Sequence, residues 1–331
     1  MQKDILRLFW STAAQYPVRL GITLVNPTIT VIVASFVGPY IIAQFLEHLQ
    51  DGTITLAGSM PLIIGYALTQ IYGEIIGWRI TLYAIWTMEV ASQRNLYHRV
   101  FSHLADQPPA FHADRFSGSI VSQTTKLIGA FERFWDTMVF QLIPAATSVV
   151  AAIIILSFLF WQYAVFLALL SVVFVAVIVG GSRFMAILSK LEAQASTTLT
   201  GRLADTITNV LAVKSHGQEE GELQEYAKLS KHWSGRSLDS MRGFLKVSTA
   251  YSSLIAIVNV VALVLAVWAS ERNIISIGVV YLSITYTFTV ARQLWEMNNI
   301  MRNYNRVMGD AYDMTEILSI TPHIQDPECA V

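Results

Sequence analysis

The chain has 331 residues, 54% of them hydrophobic and only 14% charged, with a formal net charge of −1. A soluble domain carries about 25% charged residues, so this composition points to an integral membrane protein, and the near-zero charge removes any bulk electrostatic case for nucleic acid. Cys329 is the only cysteine, which excludes a disulfide framework within the chain and a Cys-rich metal site.

The start, MQKDILRLFWSTAAQYPVRL, is amphipathic with scattered charges. It lacks a charged leader, a continuous apolar run and a small-residue cleavage site, so it is not expected to be a removed signal peptide. Six apolar spans follow, at about 22–45, 62–86, 139–160, 163–184, 247–269 and 274–290. Each is near the ~20 residues that cross the hydrocarbon. The first contains Pro27 and Pro39.

Lys and Arg set the orientation. The segments after spans one, three and five hold a single basic residue, Arg272. The N-terminus holds Lys3, Arg7 and Arg19, and the segment between spans two and three holds Arg94, Arg99, Arg115, Lys126 and Arg133. The segment between spans four and five holds Arg202, Lys214, Lys228, Lys231, Arg236 and Arg242 among others, and Arg302 and Arg306 follow span six. The positive-inside rule places both termini and both long loops in the cytoplasm. The expected location is a plasma (inner) membrane, with several passes.

The cytoplasmic parts read as helices that leave the membrane and continue. Between Pro61 and Pro108 there is no proline, so span two is expected to run on until Pro108 and Pro109 stop it. Span three is expected to begin far out, near Ser119. From Trp161 to Gly217 there is again no proline. A helix of roughly 50 residues there is ~75 Å long against ~30 Å of hydrocarbon, so it would stand clear of the membrane, turn at 215–220 and come back. Span six is expected to continue to Thr321 and Pro322.

Several polar side chains fall within the spans. By helical rise from Pro61, Glu74 lies ~20 Å inward and Arg79 ~27 Å, and Arg292 has a similar depth on span six. Ionisable groups at such depth usually face a bundle interior or water. On span six Tyr281, Thr285, Phe288, Arg292, Trp295, Asn299 and Arg302 recur on one helical face. Rings for an apolar body and arginines for an anionic head would suit an amphiphile. Glu74 paired with Arg79 or Arg292 as a structural lock, with the aromatics as packing, is the other reading. Tyr66, Gln70, Gly73 and Gly77 line one side of span two. They would line a cavity, but the G-x-x-x-G spacing is more often a close helix contact. His98, His103 and His112 lack the spacing and the carboxylate of a metal site and read as solvated.

FHADRFSGSIVSQTTK, at 111–126, and RLADTITNVLAVKSHGQEEGELQEY, at 202–226, resemble the first and second intracellular loops of ABC exporter transmembrane domains (type IV fold). Val213, Lys214, Ser215 and Glu219 match the second loop directly. In the first, His112 replaces an aromatic and Gln123 the usual arginine. The tail DMTEILSITPHIQDPECAV is similar to the segment that joins span six to the family's nucleotide-binding domain, with 321–331 as linker. The resemblance implies an all-α membrane domain over 1–320, with six transmembrane helices and long cytoplasmic extensions, working as a homo- or heterodimer whose helices four and five reach across to the partner. It also implies two coupling helices that dock on ATPase domains, carried here by Phe111, His112 and Asp114, and by Ser215, His216, Gln218 and Glu219. Phe111 would be the aromatic knob. The substrate cavity is expected at Tyr66, Gln70, Glu74, Arg79, Tyr281, Thr285, Phe288, Arg292 and Trp295.

No G-x-x-x-x-G-K-[ST] phosphate loop and no Gly-rich signature loop occur in the sequence. ATP and Mg are therefore expected on an associated nucleotide-binding domain, with no cofactor in this chain. The expected function is the translocating half of an ATP-driven exporter of a lipid or amphipathic compound. A channel or ATP-independent membrane protein on the same fold is the alternative. A membrane enzyme would need a convergent acid–base or metal constellation, and none can be argued.

Overall fold

In the computed structural model the chain is described at all positions except 53–54, 114–116, 273 and 321–331. Among the described residues every regular element is helical. In order these are α1 (Gln2–Ala13), α2 (Pro17–Ile32), α3 (Gly38–Gln50), α4 (Leu56–Gln70), α5 (Trp78–Ala105), α6 (Pro109–Ala113), α7 (Ser117–Thr137), α8 (Ile143–Leu159), α9 (Trp161–Thr208), α10 (Val210–Ser215), α11 (Glu219–Glu271) and α12 (Ile277–Leu318). Three π-helical turns, Val33–Val37, Ile71–Gly77 and Met138–Leu142, join α2 to α3, α4 to α5 and α7 to α8 without breaking the rods.

Among the described residues, four helical segments are long and apolar enough to cross a membrane: Pro17–Gln50, Gly118–Leu159, Trp161–Thr208 and Glu219–Glu271. The expected second and sixth spans, on α4–α5 and α12, are not among the four. These are the two helices that carry the polar stripes named above. The predicted long extensions are present: α5 ends at Ala105, just before the proline pair, α7 begins at Ser117, and α9 runs for 48 residues. The connection after α8 is shorter than the sequence suggests, with Phe160 alone between two helices.

The chain divides into two compact units, residues 1–168 with 261–331, and residues 169–260. The core of unit one gathers Ile5, Leu8 and Phe9 of α1, Ile85, Met88 and Leu96 of α5, Leu127, Phe131 and Trp135 of α7, and Val307, Ala311 and Met314 of α12. This explains the amphipathic start: α1 buries one face, with Phe9 edge-on to Phe131 at 5.4 Å and Trp10 5.8 Å from Trp135. Full burial of a side chain such as Ile5 or Phe9 stabilises by about 1.5–3 kcal/mol.

Higher up, α2 and the π turn that follows it meet α5 and the π turn that precedes it across small residues. A Cβ on Gly73 would lie 2.7 Å from the Ala34 Cβ, and one on Gly77 would collide with the Thr30 side chain. The G-x-x-x-G spacing thus marks a close helix contact. Asn26, buried beside it, donates Nδ2 to the Gly77 carbonyl at 2.7 Å and to Thr81 Oγ1 at 2.8 Å, and accepts from the Tyr72 hydroxyl at 3.0 Å.

Unit two is the hairpin of α9 and α11 with α10 at its tip. Its register can be followed from end to end. The Tyr251 hydroxyl donates to the Ile178 carbonyl at 3.3 Å, and Gly181 makes room for the same ring. Gly243 admits Leu188, Ser237 donates to Glu192 at 3.0 Å, and Arg202 and Thr206 both reach Glu222, at 2.7 and 3.0 Å. The predicted single helix is interrupted at Asn209, between α9 and α10. There the Asn209 side chain donates to the Asp205 carbonyl and Thr208 to Ala204.

Candidate functional site

The tip of unit two is built by a helix stop. Gly217 has φ 62, a conformation that costs a residue with a Cβ about 1–2 kcal/mol. Its N–H bonds the Lys214 carbonyl at 3.2 Å, and the Gln218 N–H bonds the Val213 carbonyl at 3.0 Å. These two bonds satisfy carbonyls that the end of α10 leaves open. The His216 ring stays with its own turn, Nδ1 lying 2.9 Å from the Ala212 carbonyl and 3.1 Å from Ser215 Oγ. After the turn, Glu219, Glu220 and Glu222 occupy the first turn of α11, where carboxylates suit the positive end of the helix. Lys214 reaches Glu219 at 3.7 Å.

Ser215, His216, Gln218 and Glu219 are all exposed, side by side on this tip. Leu211 is 81% exposed next to them, and Ile207, Val210 and Leu223 are exposed as well. Nothing in the sequence singles out Leu211. In a chain this apolar, one more leucine carries no signal until its neighbours are seen to leave it uncovered.

The first hairpin is different. Phe111 on α6 is only 9% exposed and belongs to the core of unit one, against which Leu104 and Ile120 also pack. The side chain that the sequence offers as a projecting knob is turned inward and anchors α6. Asp114 lies outside the described residues, as do the side chain of His112 and the expected linker 321–331. His103 and Gln107, near the end of α5, hold the end of α12. His103 Nε2 lies 2.9 Å from the Ile317 carbonyl, and Gln107 Nε2 donates to the Ile320 carbonyl at 3.3 Å. His103 is therefore a helix-to-helix tie, where the sequence suggested a solvated ring.

The expected cavity residues fall into two groups. On α12 the face with Leu282, Tyr286, Val290 and Leu294 is buried, and the Tyr286 hydroxyl donates to the Phe36 carbonyl at 2.9 Å. The opposite face carries Tyr281 and Thr285, half-buried, and Phe288, Arg292 and Trp295, exposed. On α4 and the following π turn, Tyr66 and Glu74 are exposed and Gln70 is half-buried. Arg79 Nη1 donates to the carbonyls of Glu74 and Ile75 at 3.4 and 3.1 Å. Among the described residues no ion pair joins Glu74 to Arg79 or Arg292. Each stripe is a polar and aromatic helix face left open by its own chain, and no hydrogen bond among the described residues brings the two together. No group of three His, Cys, Asp or Glu among the described residues is arranged to hold a metal ion.

Residues 22–294 match the family model for the ABC transporter transmembrane region. The beta-(1→2)glucan export ATP-binding/permease protein NdvA of Rhodopseudomonas palustris is 22% identical over 310 residues, covering 87% of this chain and 51% of that protein. The ATP-dependent lipid A-core flippase 1 of Colwellia psychrerythraea is 22% identical over 242 residues, covering 71% of this chain and 38% of that protein. The chain spans about half the length of the first of these relatives, or less for the second. A solved structure of a bacterial Atm1-family ABC exporter with ATP bound shares the fold, with a TM-score of 0.71 at 15% identity, covering 94% of this chain and 54% of that one.

Proposed function

Because this chain belongs to the ABC transporter transmembrane region family, we propose that it is the substrate-translocating membrane domain of an ATP-driven exporter. The observation that carries the reading is the tip of unit two. Two helices of 48 and 53 residues end in a capped turn with an exposed polar row and an uncovered Leu211. A stiff hairpin with a docking tip can transmit a rigid-body motion across a bilayer. Ser215, His216, Gln218 and Glu219 would make the polar contacts to a nucleotide-binding domain and Leu211 the apolar one.

In this reading ATP and Mg bind on the nucleotide-binding domains. This chain's residues include no phosphate loop, and no step on it runs through the nucleotide. Two membrane domains, identical or not, would assemble. The exposed Ile187, Leu191, Leu238 and Met241 on the extensions of α9 and α11 favour cover by a second subunit. The open faces of α4 and α12 would line the cavity. Substrate binding there and ATP binding outside would bias one inward–outward equilibrium. Phe288 and Trp295 beside Arg292 suit an amphiphile with an anionic head, in line with a relative named as a lipid A-core flippase.

The test is reconstitution of the full-length protein with its ATPase domains in liposomes. ATP-dependent movement of a labelled anionic lipid, lost in Leu211→Asp and Gln218→Pro while the protein stays folded, is the expected result. Movement that needs no ATP, or ion current without alternating access, would replace the transporter by a channel on the same fold.

A further inference from the structure

Where α5 meets α7 in unit one lies a group of polar atoms that neither the open stripes nor the hairpin tip uses. Glu89 of α5 is 5% exposed, and its Oε1 has no hydrogen-bond partner. Ser92, one turn along the same helix, is fully buried with its Oγ likewise unpartnered. Opposite them α7 carries Glu132 and Asp136, again one turn apart. The two helices are joined through α6 and run antiparallel. Gln93 donates Nε2 to Glu132 Oε2 at 3.0 Å. The same register sets Glu89, one turn before Gln93, level with Asp136, one turn after Glu132. Both of those carboxylates act on Glu89 by charge.

The elements packed on α5 offer nothing to offset this. Arg133 of α7 is held by Asp310, and Lys126 lies further out toward the tip. Arg19 of α2 gives Nη1 to the Thr87 carbonyl, and the Tyr16 hydroxyl donates to the Ala91 carbonyl. On α1 the N-terminal amine pairs with Asp4, on which Arg7 also acts. On α5 itself Arg94, His98 and Arg99 are exposed on the outer side, and Glu74 sits in the π turn above. Among the described residues no basic group acts on Glu89.

A buried carboxylate facing two others is costly as an anion. A cation would relieve it, but the arrangement does not fit a metal ion. A proton needs only one oxygen, and it turns Glu89 into a neutral donor. We infer that Glu89 is a proton-binding site at the cytoplasmic foot of the second expected span, with Asp136 and Glu132 retaining the proton while α5 and α7 stay packed. The proton is released where these helices part and water reaches the carboxylate. This site does not depend on the translocation reading and would exist on the same fold without transport.

Infrared titration of the full-length protein in lipid nanodiscs tests it. A carboxylic-acid C=O band should persist at neutral pH and titrate with a midpoint near 8. Glu89→Gln, which copies the neutral form and so keeps the fold, should lose the band. Asp136→Asn should move the midpoint down by about one pH unit or more. The inference is overturned if every carboxyl titrates below about pH 5, if the band survives in Glu89→Gln, or if Asp136→Asn leaves the midpoint in place. Loss of the band on adding Na⁺ or Mg²⁺ at fixed pH would make this a metal-cation site and likewise overturn it.

Discussion

Arg133 of α7 places Nη2 2.5 Å from Asp310 Oδ2 of α12, and Arg306 reaches the same carboxylate at 3.8 Å from one turn away. The pair ties two helices well separated in sequence. Both side chains keep some solvent contact, so the value lies between an exposed pair and a buried one, about 1 kcal/mol. Asp310→Asn should lower the melting temperature by a few degrees, and adding Arg133→Gln should restore part of the loss. An unchanged melting temperature in Asp310→Asn would mean that the pair holds nothing.

Gly73 allows the backbone of the π turn after α2 to approach. The Cβ of Gly73→Ala would stand 2.7 Å from the Ala34 Cβ, with the Ala34 Cα at 3.5 Å. Neither atom is the end of a flexible chain, so the helices must separate. Overpacking of this kind costs about 1–3 kcal/mol. Gly73→Ala should destabilise the protein more than Gly21→Ala, where a Cβ meets nothing, and comparative thermal unfolding in detergent decides it.

Stability should depend on pH through Glu89, one turn beyond the expected 62–86 span. Burial first, then the charges of Asp136 and Glu132, push its carboxyl from 4.5 up to about 8. Below 4.5 folded and unfolded chains both hold the proton. Between 4.5 and about 8 the folded state holds more of it, so the contribution to stability falls as pH rises and levels off above. The difference in unfolding free energy between the native protein and Glu89→Gln should grow across that window in favour of the variant. A difference independent of pH would remove Glu89 as its source.

Gly217→Ala should cost about 1 kcal/mol locally at the φ 62 position, while Gly217→Asn should cost less. On the exporter reading proposed above, the alanine variant assembled with ATPase domains should reduce substrate-stimulated ATPase activity several-fold without lowering basal hydrolysis. Equal stimulation in both variants would show that the turn is not a docking element.

On the same reading, Arg292→Ala should abolish stimulation by anionic amphiphiles and spare that by neutral ones, because a guanidinium would select the head and the rings beside it the tail. An unchanged response to both would remove Arg292 from substrate recognition.

Much of this could be read from residue types along one dimension. Prolines absent from 161–217 mean an unbroken rod, and α9 has 48 residues. Gly217 followed by three glutamates within five residues means a stop and a new start. The G-x-x-x-G pair means close approach, and Ala34 and Thr30 stand where it requires. These are local preferences of backbone and solvent, and neighbours in sequence suffice to state them. The break at Asn209 is also local, but it leaves no strong mark in composition.

Composition and proline spacing are therefore enough for the class: an apolar membrane chain built of helices longer than a bilayer is thick. The tertiary structure alone sets which way each side chain faces. It turned Phe111 into a core anchor, left Leu211 bare, set Arg133 against Asp310 and placed Glu89 level with Asp136. Helical periodicity names a face, but which partner covers that face depends on contacts between residues far apart in the chain, and burial and charge coupling follow from those contacts.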